Sequence, residues 1–383
     1  MSIKPAPAVR CFQSPGRYLQ GPGTIDSLYE TVMIDGDSAF AVIDAYFYES
    51  LSERLSAQFS EHGLKFACSR YEGEINQEHL DRLNAEVRAL ESLPAFIIGV
   101  GGGKSCDMAK AVATDNNVKV IVVPTALSTD APTSCHSVLY DKNGSHYLKQ
   151  HKRNPDYVIV DTEIAVNAPI STFISGLGDA MATYFEAMAS FGNDDVCYAG
   201  GSRYRSTQAG RAIAELAYRT LMENGRQAYA DAKEHRRTQA FEDAAEANTL
   251  LSGLGFENTR CALAHGIQGS FNAIPAKPLL HGQVVGYCLL IQLLVEKAGG
   301  VAGRERDFAE IFAWSRDVGL PLCFADLGIT ENTDHWIRTL VHTAYEESYL
   351  LKNEPFPVTE EMVYGAACEL EAYAAAHRRE GQM

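Results

Sequence analysis

The chain has 383 residues, 46% of them hydrophobic and 21% charged, an ordinary globular composition whose length predicts two domains at roughly 100–200 residues each. Its 49 acidic residues against 33 basic ones give a formal net charge of −16. That field repels a phosphate backbone and argues against nucleic-acid binding, so a phosphate-bearing cofactor must be held by local donors. Residues Met1 to Pro15 carry prolines and charges but no apolar signal core. No run of about 18 apolar residues follows anywhere, so no membrane span is expected.

The first predicted strand is Ala39–Ile43, ending at Asp44. An acid at such a strand end can accept hydrogen bonds from an adenosine ribose and repel a 2′-phosphate, favouring NAD over NADP. A plain loop carboxylate is the other reading. Phe96–Val100 is the second strand, and it runs into Gly99-Val-Gly-Gly-Gly-Lys-Ser105 ahead of a helix over Cys106–Thr114. Glycines there admit a pyrophosphate close to the backbone, and the helix N-terminus offers N–H groups and a positive dipole end. The spacing matches neither a Walker loop nor Gly-x-Gly-x-x-Gly, and a tight turn without ligand stays open. Val120–Val123 is the third strand, stopped by Pro124. The loop that follows, Pro124 to Pro132, carries hydroxyls and Asp130, where ligands gather beyond parallel strands; a turn with side-chain caps is the competing reading. Tyr157–Val160 is the fourth. Apolar runs of this length between helix-length segments predict a doubly wound α/β domain over residues 1–163.

Beyond residue 164 the strand pattern stops. Asp179 follows Gly176-Leu-Gly178 and reads as a helix-start cap. Ile213, Leu216, Ala217 and Leu221 fall at helical spacing, with Asn224-Gly225 predicted to close that helix. Phe308, Ile311, Phe312 and Ser315 repeat the pattern, ended by Gly319 and Pro321. Thr359 is predicted to cap a last helix with the stripe Val363, Ala367, Leu370 and Ala374. Residues 164–383 therefore read as all-helical, packed closely on the first domain across a short boundary. His265 and His281 both lie in apolar helical surroundings. Each by itself reads more readily as a satisfied core histidine than as a ligand, and spacing does not join them to Asp179.

The nine cysteines are scattered and never form Cys-x-x-Cys, against a disulfide framework or a thiolate zinc site. A reduced, cytoplasmic protein is expected, in which the sequon at Asn143 has no meaning.

Taken together, Ser14–Gly21, Gly99–Lys110, Pro124–Pro132, Asn154-Pro-Asp156 with Val160–Glu163, Gly176–Ala187, Ala247–Glu257 and His281-Gly282 resemble, in order and over nearly the whole chain, the glycerol dehydrogenase branch of the metal-dependent, iron-type alcohol dehydrogenase superfamily. The resemblance implies a Rossmann-like parallel sheet followed by an all-α domain, with cofactor and metal in the cleft between. It implies a metal on Asp179, His265 and His281, usually Zn²⁺ with Fe²⁺ as the alternative. It implies NAD, with Gly102, Gly103 and Lys104 at the pyrophosphate, Asp44 at the adenosine ribose, and Thr125, Ser128, Ser134 and Tyr140 along the cofactor. Asp130 falls where the family holds a hydroxyl of a small diol. A homo-oligomer, often an octamer, is implied as well.

The chain departs from that pattern in three places. Gln268 stands where many relatives have a second histidine, His136 stands where an aliphatic residue is common, and the His265–His281 interval is about one residue short. These touch the pocket, so the same chemistry on another small alcohol, a hydroxyketone or a 2-hydroxy acid is the alternative. A lyase of the dehydroquinate synthase type would need basic residues beside His265 and His281, and the sequence has no such cluster. An inactive NAD-binding scaffold is the non-enzymatic rival.

Overall fold

Continuous apolar runs become buried strands because both sheet faces are covered. The computed structural model describes residues 8–140, 146–193 and 196–380, leaving Asn143 of the sequon outside. The strands are β1 (Arg17–Gly21), β2 (Ser38–Asp44), β3 (Lys65–Tyr71), β4 (Phe96–Gly101), β5 (Lys119–Pro124), β6 (His136–Tyr140), β7 (His146–Gln150) and β8 (Tyr157–Asp161). Six form one parallel sheet in the order β1-β8-β5-β4-β2-β3, and β6 and β7 pair as a separate hairpin. The four predicted strands are its interior members.

The helices over the sheet include α1 (Ala45–Glu61), α2 (Gln77–Arg88) and α3 (Gly103–Asn116), besides a short one over Leu28–Asp35. Alternate strand residues serve opposite faces. Ala41, Ile43, Ile98 and Val100 pack with Leu51, Leu55 and Phe59 of α1. Phe40, Val42, Ile97 and Val122 pack with Met108 and Val112 of α3. The chain thus leaves β2 and β4 towards opposite faces. That divergence opens a crevice at their carboxyl ends, where open α/β sheets bind ligands.

The helical half comprises α4 (Ile170–Gly192), α5 (Gln208–Lys233), α6 (Gln239–Glu246), α7 (Ser252–Asn258), α8 (Leu263–Gln268), α9 (His281–Ala298), α10 (Arg304–Asp317), α11 (Thr333–Glu347) and α12 (Glu360–Glu380), with some shorter turns. Its core is continuous with the α3 face of the sheet. A two-residue ladder, Val196–Cys197 with Tyr204–Arg205, interrupts the helical run. Thr359 caps α12 through the Met362 N–H at 3.2 Å.

Two predicted boundaries are corrected. Asn224-Gly225 does not end a helix: α5 continues to Lys233, and Gly225 is there because a Cβ would lie 2.9 Å from the Trp314 ring. The glycine marks a close approach, with the Trp314 indole donating to the Leu221 carbonyl at 3.1 Å. Asp179 is not a helix-start cap either, since α4 begins at Ile170 and runs through it. Gly176 and Gly178 are tolerated inside α4 for the reason given below. Among the described residues no helix is long and apolar enough to cross a membrane.

Candidate active site

Helix α4 is the axis of the site, and its glycines let it approach two neighbours at backbone distance. A Cβ at Gly178 would sit 2.2 Å from the Gly282 carbonyl oxygen, and one at Gly282 1.9 Å from that of Ser175. A Cβ at Gly176 would meet the Leu127 carbonyl oxygen at 1.9 Å. The Gly282 N–H donates to Ser175 Oγ at 3.0 Å, and Ser175 Oγ donates to the Ser128 carbonyl at 2.8 Å. The first turn of α9 and the loop after β5 are therefore both pressed onto the segment of α4 that carries Asp179.

This packing gathers Asp179, His265 and His281, whose donor atoms all lie within 4.8 Å of one another. Asp179 is 1% exposed. Its Oδ1 is 3.5 Å from Nε2 of each histidine yet has no hydrogen-bond partner. Burial raises the Asp179 carboxyl, but the His281 and His265 imidazoles outweigh it and hold it below its usual range. Burial would lower His265; Cys261, Glu186 and Asp179 beside it raise it well above its ordinary value instead. An orphaned buried carboxylate oxygen facing two imidazole nitrogens is an N/O donor set that fits a divalent cation such as Zn²⁺.

Asp130 sits beside this group. Its backbone N–H donates to Asp179 Oδ2 at 3.3 Å, and its own Oδ2 accepts from Ser252 Oγ at 2.6 Å. Ser252 Oγ in turn shares a 2.8 Å hydrogen bond with Thr183 Oγ1. Burial, and then the Asp179 charge, push the Asp130 carboxyl well above the usual carboxylate range. The turn Ala247–Leu251, joining α6 to α7, is π-helical, a form that recurs at functional sites. Thr133 Oγ1 donates to the Thr249 carbonyl within it at 3.1 Å. Glu257 accepts the Cys135 N–H at 2.9 Å and holds the Asn154 amide. The loop bearing Asp130 is thus pinned to the helical half through Ser128, Asp130, Thr133 and Cys135.

The residues expected at the cofactor spread along the crevice. Asp44 ends β2 and accepts the Tyr46 N–H at 3.0 Å. Gly102 precedes α3 without any side-chain cap, so the first N–H groups of that helix suit an anion. A Cβ at Gly102 would meet nothing within 4 Å, whereas one at Gly101 would fall 2.7 Å from Asp44 Cβ. Gly103 opens α3. Lys104, half exposed, pairs with Glu74 at 2.5 Å. Thr125 is buried, its N–H on the Gly101 carbonyl at 2.9 Å. Ser128 is half-buried next to Ser175. Ser134 is buried, with its hydroxyl donating to the Ala131 carbonyl at 3.1 Å. Tyr140 closes β6, its N–H on the Ile75 carbonyl at 2.7 Å. Of the two atypical pocket residues, Gln268 ends α8 half-buried. His136 is buried; burial and then Lys110 lower its imidazole to about 4, so it is neutral near pH 7.

Sequence reasoning missed Glu186 and Ser252. Glu186 Oε2 lies 2.6 Å from His265 Nδ1. The available signal was spacing: Glu186 falls seven residues after Asp179, two helical turns on, hence on the same face of α4.

The chain matches the family described as iron-containing alcohol dehydrogenase over residues 15–162. It is 37% identical to a glycerol dehydrogenase from Escherichia coli O6:H1, across 95% of this chain and 97% of that one. It is 35% identical to a glycolaldehyde reductase from Halobacterium salinarum, across 93% and 95%. The crystal structure of glycerol dehydrogenase from Schizosaccharomyces pombe superposes with a TM-score of 0.90 at 28% identity, covering 99% of this chain and 95% of that one. On these grounds the chain is an oxidoreductase belonging to the glycerol dehydrogenase branch of the iron-containing alcohol dehydrogenase family.

Proposed function

We propose that this protein reversibly oxidises glycerol to dihydroxyacetone, along with related vicinal diols, using NAD⁺ and a divalent ion on Asp179, His265 and His281. The observation that carries this reading is the partnerless Oδ1 of buried Asp179 between two imidazole Nε2 atoms, with the Asp130 carboxyl alongside. When bound, the ion supplies Lewis acidity that lowers the pKa of a substrate hydroxyl, and the dinucleotide accepts hydride. The chain's own residues do the positioning. Asp130 has one oxygen committed to Ser252 and the other to offer a substrate hydroxyl, so a second hydroxyl is recognised where a simple alcohol leaves it unmet. Asp44 and the uncapped start of α3, with Gly102, Gly103 and Lys104, hold the ribose and pyrophosphate, while Thr125, Ser128, Ser134 and Tyr140 stand further along the cofactor's path. Zn²⁺ is the ion the donor set suits best.

The relative that reduces glycolaldehyde favours one second reading, the same chemistry run on another small hydroxy-carbonyl compound. A homo-oligomer, an octamer by the family's habit, accompanies the proposal. It is supported by Leu19 on the edge strand β1 and by Met33 and Ile34, all left exposed; sedimentation velocity measures it directly. A cytoplasmic setting agrees with nine free cysteines.

The test is glycerol-dependent NAD⁺ reduction followed at 340 nm, a cofactor absorbance, on chelated protein before and after Zn²⁺ is restored. 1,2-Propanediol, ethanol and lactate are run in parallel, and glycolaldehyde is run in the reverse direction as NADH oxidation at the same wavelength. Zinc-dependent activity ranked towards vicinal diols supports the proposal. Zinc-dependent activity confined to glycolaldehyde moves it to the second reading, and turnover of none of them with NADH still bound ends the substrate assignment.

A further inference from the structure

We infer that Glu186 is the positioning residue that makes His265 a metal ligand, by fixing its tautomer, its ring orientation and the charge balance of the site. The inference rests on the proposal that Asp179, His265 and His281 hold a divalent ion. Glu186 is 1% exposed, and both its oxygens face the His265 turn. Oε2 takes the Nδ1 hydrogen at 2.6 Å, while Oε1 accepts the backbone N–H groups of Ala262 at 2.8 Å and of His265 itself at 3.0 Å.

A neutral imidazole has one hydrogen and one in-plane lone pair to distribute between its nitrogens. With the hydrogen held on Nδ1 by a carboxylate, the lone pair is on Nε2, the atom that faces Asp179 Oδ1. The opposite tautomer would aim an N–H at the cation. The backbone contacts of Glu186 also stop the ring from turning away. The rest of the turn is tied as firmly: Gln292 Oε1 accepts the Ala264 N–H at 2.9 Å, and the Asn353 amide donates to the Cys261 carbonyl at 2.7 Å. His281 differs. Its side chain is 38% exposed, and among the described residues no carboxylate bonds its Nδ1. Preorganisation is therefore concentrated on the His265 arm. Charge adds a second effect, because the carboxylates of Asp179 and Glu186 together neutralise a divalent ion in a buried site, and loss of either leaves net positive charge there.

The experiment is Zn²⁺ affinity of chelated protein, by competition with a chromophoric chelator, for the unsubstituted chain, Glu186→Gln and Glu186→Asp. Far-UV circular dichroism and NADH fluorescence report folding. Glu186→Gln is expected to weaken Zn²⁺ binding by about 10–100-fold, with NADH binding unchanged and Glu186→Asp in between. A purely structural role would lower thermal stability without moving the affinity of the folded fraction. If Glu186→Gln fails to fold, histidine ¹⁵N shifts of the Zn²⁺-loaded unsubstituted chain decide, His265 being assigned by the signal lost in His265→Gln. The Nδ1–H form supports the inference and the Nε2–H form overturns it. A Zn²⁺ affinity of Glu186→Gln within about twofold of the parent overturns it too. A parent chain that binds no Zn²⁺ removes the metal proposal, and the inference with it.

Discussion

Asp130 and Asp179 are buried neighbours, the Asp130 backbone N–H donating to Asp179 Oδ2 at 3.3 Å, and their environments push their carboxyls in opposite directions, Asp130 up and Asp179 down. The pair divides labour accordingly: Asp179 is the permanent anion, and Asp130 is free to hold a hydroxyl. Asp130→Asn keeps the shape and an oxygen for the Ser252 hydroxyl but replaces the other carboxyl oxygen with an amide nitrogen that can only donate. It is expected to lower kcat/KM for glycerol by about 10²-fold or more while the NADH dissociation constant stays put. Equal losses in turnover and NADH binding would mean that Asp130 supports the loop instead. His265→Ala is expected to abolish both Zn²⁺ retention, measured by elemental analysis, and turnover, with circular dichroism unchanged. Asp179, His265 and His281 were joined in the sequence only by the family resemblance, not by their own spacing or surroundings. Glu186 and Ser252 could not be singled out, because a lone polar residue in an apolar helix has the same sequence appearance whether its partner is its own backbone or a histidine 79 residues away.

At the scale of elements, glycine placement shapes the site. Gly282→Ala would drive a methyl into the Ser175 carbonyl and force α4 and α9 apart. Overpacking of this kind costs about 1–3 kcal/mol, and here it also displaces His281 from Asp179. The expected result is a lower urea midpoint together with weaker Zn²⁺ binding. Gly365→Ala, in the exposed face of α12 with nothing within 4 Å of its Cβ, is the control. It is expected to gain about 0.5–1 kcal/mol from helix propensity and leave the metal alone. Normal Zn²⁺ affinity in Gly282→Ala would show that the helix contact does not govern the site. The interior strands were readable as apolar runs because two covered faces demand them. The edge strands β1 and β3 were not, since Arg17–Gly21 and Lys65–Tyr71 are half-exposed and mix charge with apolar residues. Asn224-Gly225 misled because a glycine that ends a helix and one that admits a tryptophan ring are the same letter.

Across the whole molecule, a buried basic cluster behind the crevice contributes to the response to acid. Lys110 is 3% exposed and its ammonium is saturated by Asp107 and by the carbonyls of Ala131, Ser134 and His136. Near it, burial and then the Lys110 charge lower His136 to about 4 and His151 to about 3. His151 is satisfied as a neutral ring, sharing hydrogen bonds with Thr114 Oγ1 at 2.8 Å and Ser137 Oγ at 2.7 Å. Once unfolded, both rings take up protons below the ordinary histidine value of about 6.5, whereas the folded protein refuses them until far lower pH. The unfolded state therefore binds more protons in that window, and stability contributed by these rings is present at neutral pH and lost as pH falls from about 6.5 towards about 4. Buried Asp107 and Glu257, raised first by burial, act with the opposite sign, so the slope of the parent chain alone is ambiguous. The difference between the parent and His136→Val is not. The valine removes one ring that the unfolded state protonates, and the loss of unfolding free energy between pH 7 and pH 5, from urea titrations of cofactor-free protein, should shrink by about 1–2 kcal/mol. An unchanged loss would mean that His136 titrates in the folded protein as it does in water, and that the Lys110 cluster does not reach it.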